Sequence, residues 1–154
     1  MPSKTKQNQV KAYLDVNNFK YSSCDKIINT SDCGLERPDF VFDCGTHFII
    51  LEVDEHQHKS YLCDCEVTRM LNIWYNICAP TIFIRFNPDE YTTNNIKNDP
   101  SHKDRMKELS SYLKYYMKAK VIDELQLLSV VYLYYDNYDK KKTAIQTLVS
   151  MDEN

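Results

Sequence analysis

The chain has almost no glycine, two residues in 154. It offers no glycine- and serine-rich stretch that would serve as a flexible linker, so nothing marks a second domain. One domain spanning 1–154 is expected, long enough to bury a core of reasonable size. No run of eighteen apolar residues occurs, which excludes a membrane-spanning helix from the reading. The opening MPSKTKQNQVKAYLD lacks the apolar stretch of a secretory signal. The six cysteines then predict reduced thiols in an intracellular, reducing compartment, the cytoplasm or nucleus of a cell. No internal repeat is present.

Strong charge of one sign is also missing, with a net charge of −3 that by itself argues weakly against a nucleic-acid partner. The distribution is less even than the total. Residues 1–30 carry five lysines against two aspartates. Residues 31–66 carry nine acids against two bases, and residues 97–120 seven bases against three acids. An acidic centre between basic flanks suits a divalent metal with a phosphate substrate. Uneven scatter in a short chain would look the same, so the motifs decide.

Residues 1–8 and 150–154 are polar and expected to fray. Val10, Tyr13 and Leu14 stand at helical spacing. Residues 22–38 are turn-rich and read as a loop. DFVFD alternates, with Phe40 and Phe42 on one face, and predicts a strand. A tight turn at Gly45 leads to a second strand, HFIILEVD, closing a hairpin. Val67, Met70, Leu71, Trp74 and Ile77 predict an amphipathic helix that Pro80 ends. TIFIRF is a third strand, and residues 87–100 read as a loop. A long helix with Ser101 as its N-cap follows, then a β-branched and aromatic strand, LQLLSVVYLYY. The tail from Asp136 predicts a last short helix. The order is that of a mixed α/β domain, a central sheet flanked by helices, with a β–α–β crossover around residues 64–78.

The stretch RPDFVFDCGTHFIILEVDEHQH, residues 37–58, carries the chemistry. Alternation sends Glu52 and Asp54 to the same side of a strand. Hairpin pairing brings Asp39 opposite them. Three bare carboxylates would repel one another and raise one another's pKa. A hard divalent cation, Mg2+ or Mn2+, removes that cost and can polarise a phosphate and activate water. His58 stands close by as a group for proton transfer at neutral pH. The competing reading is that Glu52 and Asp54 are solvated charges at a strand end.

These residues resemble the PD-(D/E)xK nuclease superfamily, the restriction-endonuclease-like fold. Its signature is Pro-Asp at a strand start, then ten to twenty residues, then an acid, any residue and usually lysine. Pro38-Asp39 and Glu52-Val53-Asp54 fill those places, with Asp54 where lysine is usual. LEVDEHQH, CEVTRML and TIFIRFNPDEY look like the branch that contains the very-short-patch-repair mismatch endonuclease and related homing endonucleases. Similar blocks also occur in uncharacterised proteins of large DNA viruses. The resemblance covers residues 24–91 and implies a Mg2+- or Mn2+-dependent DNA endonuclease. Asp39, Glu52 or Asp54, and the Val53 carbonyl would hold the metal. His58 would act as general base or acid, and Glu66 would orient it or hold a second metal. Arg37, Lys59, Arg69 and Arg85 would contact DNA. A mismatch or junction repair enzyme is the alternative within nucleases. A catalytically inactive DNA-binding protein with a vestigial site is the alternative outside them. Recognition by paired half-sites would make the protein a homodimer.

His56, His58, Cys63 and Cys65, with Cys24 or Cys33, have the donor types for a structural zinc. Reduced core cysteines account for them more simply. The tyrosines and lysines of YLKYYMK are suited to a nucleic-acid backbone, or equally to a helix that turns its tyrosines inward.

Overall fold

The computed structural model describes residues 4–26, 29–31, 34–58, 63–118, 126–141 and 145–151. Its centre is the hairpin that alternation predicts. Strand β4 (Phe40–Asp43) pairs antiparallel with β5 (Phe48–Val53), Phe40 opposite Leu51 and Phe42 opposite Ile49. Gly45 takes φ +84° in the connecting turn and its N–H donates to Asp43 Oδ1 at 2.9 Å. A side chain at that φ would be strained, which is why one of the two glycines sits there. His47 leaves the turn buried. Its Nε2 lies 2.6 Å from the Tyr116 carbonyl, which only accepts, so Nε2 carries the proton and Nδ1 accepts from Thr46 Oγ1 at 2.8 Å.

Helix α2 (Cys63–Ile77) crosses over from β5 to β6 (Thr81–Phe86), and the two strands are parallel. Helix α3 (His102–Tyr116) makes a second crossover from β6 to β9 (Gln126–Leu133), again parallel. Two edge strands finish the six-stranded mixed sheet. They are β1 (Ser23–Cys24) beside β4 and β10 (Gln146–Ser150) beside β9, both antiparallel. Small hairpins β2 (Asn29–Ser31) with β3 (Gly34–Glu36) and β7 (Tyr91–Thr93) with β8 (Ile96–Asn98) stand apart from it.

The period of two along each strand divides the core. Phe42, Leu51, Ile84 and Val131 point to one face, where α1 (Thr5–Val16) and α3 lay Val10, Leu14, Leu109 and Leu113 against them. Val41, Ile50, Phe83 and Val130 point to the other, under Met70 and Ile73 of α2. Each such fully buried side chain contributes roughly 1.5–3 kcal/mol. Ser101 caps α3 as predicted, its Oγ accepting from the Asp104 N–H at 3.2 Å. Ser101→Ala should cost about 1 kcal/mol, read as a lower midpoint in urea at unchanged slope.

Four expectations are corrected. Residues 22–38, read as a loop, contain β1, β2 and β3, pieces of two or three residues too short to show alternation. Residues 87–100, also read as a loop, contain the β7–β8 hairpin. Asn94 and Asn95 at its tip have φ +52° and +64°, the left-handed pair that a type I′ turn requires. The described part of the tail, residues 136–141 and 145–151, contains strand β10 and no helix. Its pairing with β9 is interrupted by register shifts, which hide the period. Val67 was expected in the apolar stripe of α2 but is 43% exposed, and Ile73 takes the buried place.

The thiols divide. Cys24, Cys44 and Cys78 are free, while Cys65 is disulfide-bonded, contrary to the expectation of wholly reduced cysteines. Among the described residues no helix is long and apolar enough to cross a membrane.

Candidate functional site

Asp39 immediately precedes β4, and the register that pairs Phe40 with Leu51 carries it across to Glu52. Its Oδ2 accepts from the Val53 N–H at 2.7 Å, so the aspartate is locked to the end of β5. Glu52 stands directly beside Arg85 of β6, and Arg85 beside Tyr132 of β9. Glu52 and Arg85 alternate with residues of the α1/α3 core and therefore face α2. This row lies at the C-terminal ends of three parallel strands, the edge at which open α/β sheets bind ligands.

Glu52 is 4% exposed and its Oε1 is buried without a hydrogen-bond partner. Burial pushes its carboxyl well above the usual carboxylate range. Asp39 and Asp54 push the same way, and Arg85 and Arg69 only partly oppose them. A buried acid oxygen with no donor is costly unless something else meets it.

Asp54 behaves differently from the expectation that it would join Asp39 and Glu52. Arg85 holds it in a fork, Nε to Oδ2 at 2.6 Å and the second terminal nitrogen to Oδ1 at 2.9 Å. The Tyr135 hydroxyl donates to the same Oδ2. Arg85 also pairs with Glu66 Oε2. Burial works against the Arg85 charge, but Asp54 and the neighbouring acids raise its pKa overall. Burial and the Asp54 charge likewise push the Tyr135 hydroxyl up. Arg85 was expected on DNA but is 3% exposed and spends its donors on carboxylates. Glu66 was expected to orient His58 or hold a second metal. It reaches from α2 to Arg85.

The remaining candidates are distributed around this network. Arg69, one helical turn after Glu66, is half-buried and its Nε has no partner. Arg37 forms an ion pair with Asp25, Nε to Oδ1 at 2.8 Å. His58 ends the short helical segment Glu55–His58. Lys59 lies outside the described residues, as does Cys33. Among the described residues no group of three or more His, Cys, Asp or Glu side chains is placed to hold a metal ion. Asp39, Glu52 and the Val53 carbonyl remain, a set suited to magnesium, which takes one or two carboxylates and keeps several waters.

The chain after Asp54 is unusual. His56 and Gln57 are successive non-glycine residues at φ +53° and +57°. Each left-handed residue costs roughly 1–2 kcal/mol. The segment is held by bonds that offset this. The His56 N–H donates to Asp89 Oδ2 at 2.7 Å. The Gln57 amide exchanges bonds with Asp136, donating to Oδ1 at 3.0 Å and accepting from the backbone N–H at 2.8 Å. Backbone held in sparsely populated conformations concentrates at functional sites. Sequence reasoning missed Tyr135 and Asp136. The Gln57-x-x-x-Tyr61 spacing, used by some exonucleases of the superfamily, reads as coincidence in the sequence, and nothing there pointed to the Gln57 partner 79 residues away.

Glu52 gives a pH prediction for the protein in chelator. Its folded pKa lies above the ordinary 4.5. As pH rises through that interval the unfolded carboxyl loses its proton while the folded one keeps it, so stability falls with rising pH. Glu52→Gln removes this loss. It should raise Tm by a few degrees at neutral pH, and the gain should vanish near pH 4. Thermal melts of both proteins against pH check it.

Compared with family models, curated proteins and solved structures, the chain has no match.

Proposed function

We propose that this chain is a metal-dependent DNA endonuclease of restriction-endonuclease-like fold that hydrolyses phosphodiester bonds. The observation that carries the reading is Asp39 held across from Glu52, whose buried Oε1 lacks a partner. The hairpin-plus-crossover order of β4, β5, α2 and β6 supports it, with Pro38-Asp39 at one strand start and Glu52 near the end of the next.

Asp39 and Glu52, with the Val53 carbonyl, would hold Mg2+ or Mn2+. Bound there, the metal would polarise the phosphodiester and lower the pKa of an attacking water. Arg85 pairs with Asp54 and Glu66 beside that pair and offsets part of their charge. Arg69, close enough to Glu52 to oppose the rise in its pKa, would turn its guanidinium to a phosphate oxygen. The clamped segment after Asp54 fixes the backbone that leads to His58, the group assigned to proton transfer. Cleavage of one long unstructured target would identify a homing enzyme, and preference for mismatched or branched DNA a repair enzyme.

One observation favours a second reading, a DNA-binding protein whose site no longer cuts. Asp54 is committed to Arg85 and Tyr135 and does not contribute a third acid. Nicking of supercoiled plasmid separates the two. The endonuclease reading expects nicks with Mg2+ or Mn2+ and none in EDTA. Plasmid binding without cleavage in any divalent metal would leave the second reading.

A further inference from the structure

On the other side of the sheet from Glu52 and Arg85, α1 and α3 enclose a groove of about 850 Å³. Tyr13 and Met106 line it, as do Lys103, Lys107 and Lys114 of α3, with His102 and a single acid, Asp104. We propose that this groove is a second nucleic-acid contact, in which Lys103, Lys107 and Lys114 bind successive phosphates of a DNA backbone. The proposal rests on the reading of DNA as partner, but not on hydrolysis.

The spacing makes the stripe. Steps of four and seven residues bring the three lysines within a narrow angle of one another on a helix of 3.6 residues per turn, along roughly 17 Å of axis. Ser110 lies on the same line and Ser111 beside it. The lysines ion-paired with described carboxylates are Lys4, Lys6, Lys11 and Lys97. The three on the α3 stripe are not among them, although the chain as a whole is acidic. A row of cations without carboxylate partners across a groove suits a polyanion with regularly repeating charge, and Lys114 meets besides only the Phe19 ring, at 6.0 Å. A membrane surface fits less well, because it takes up an exposed apolar helix face. In α3 that face, Met106, Leu109 and Leu113, is buried against the sheet.

The test is binding of the full chain to a fluorescently labelled DNA duplex in EDTA, where hydrolysis is absent, over a salt series. For K103Q/K107Q/K114Q the slope of log K against log salt should fall by about 2–3, and affinity at about 50 mM salt by at least about tenfold. Unchanged melting would show that the fold is kept. K97Q, on β8 away from the groove, should leave both quantities as in the wild type. An unchanged slope in the triple variant, no duplex binding by the wild type, or equal displacement by polyglutamate would each overturn the proposal. Lysine-dependent binding by a protein that never nicks plasmid would overturn the catalytic reading and leave this one standing.

Discussion

Replacing Asp39 by asparagine should remove metal-dependent nicking, by at least about a thousandfold, while the protein folds as before. The size follows from losing one of only two carboxylates assigned to the cation, and with it the charge that holds metal and polarises phosphate. The choice of asparagine follows from geometry. Asp39 Oδ2 accepts from the Val53 N–H at 2.7 Å, and an asparagine oxygen preserves that bond. Alanine would release the end of β5 as well and confuse the two effects. Asparagine also removes a negative charge that raises the Glu52 pKa, so melting in EDTA should be unchanged or slightly higher. Undiminished nicking by the purified variant would sink the assignment.

Arg85→Ala should be the most destabilising single change at the site. Arg85 is buried on β6 and pairs with both Asp54 and Glu66. Taking away one partner of a buried ion pair leaves uncompensated charge in a low-dielectric place, which costs about 3–5 kcal/mol. For a domain of this size that is a fall in Tm of roughly 10–15 °C. The charge, and not the lost volume, should account for most of it. Arg85→Met combined with Asp54→Asn leaves no buried charge on that pair, and Tyr135 keeps an oxygen to donate to. The double variant should therefore recover most of the loss. Equal destabilisation in Arg85→Met alone and in the double variant would show that the charge left on Asp54 contributes nothing to the loss.

These effects differ in how far the sequence reveals them. The β4–β5 hairpin, the crossover helix α2 and the Ser101 cap were legible because each is a local pattern: a period of two around a glycine turn, a period near 3.6, a serine before a helix. Asp39 opposite Glu52 followed from the same hairpin. The Asp54–Arg85–Glu66–Tyr135 network did not. It depends on Glu52 lying beside Arg85 on a parallel strand, a register set by packing across some thirty residues and not by any turn. Alternation sends Glu52 and Asp54 to one side, but it says nothing of a guanidinium arriving from β6 to take Asp54. The short strands β1, β2 and β3 were illegible for a simpler reason, since two or three residues have no period. The β7–β8 turn was legible in principle, because two successive asparagines tolerate positive φ.

The most direct measurement is anomalous diffraction from crystals soaked in Mn2+. One strong peak is expected in contact with the Asp39 and Glu52 carboxylates, absent from Asp39→Asn crystals, with Asp54 still held by Arg85. A fully soaked crystal with no peak at Asp39 and Glu52, and Glu52 unchanged beside it, would rule out a metal site on these two carboxylates.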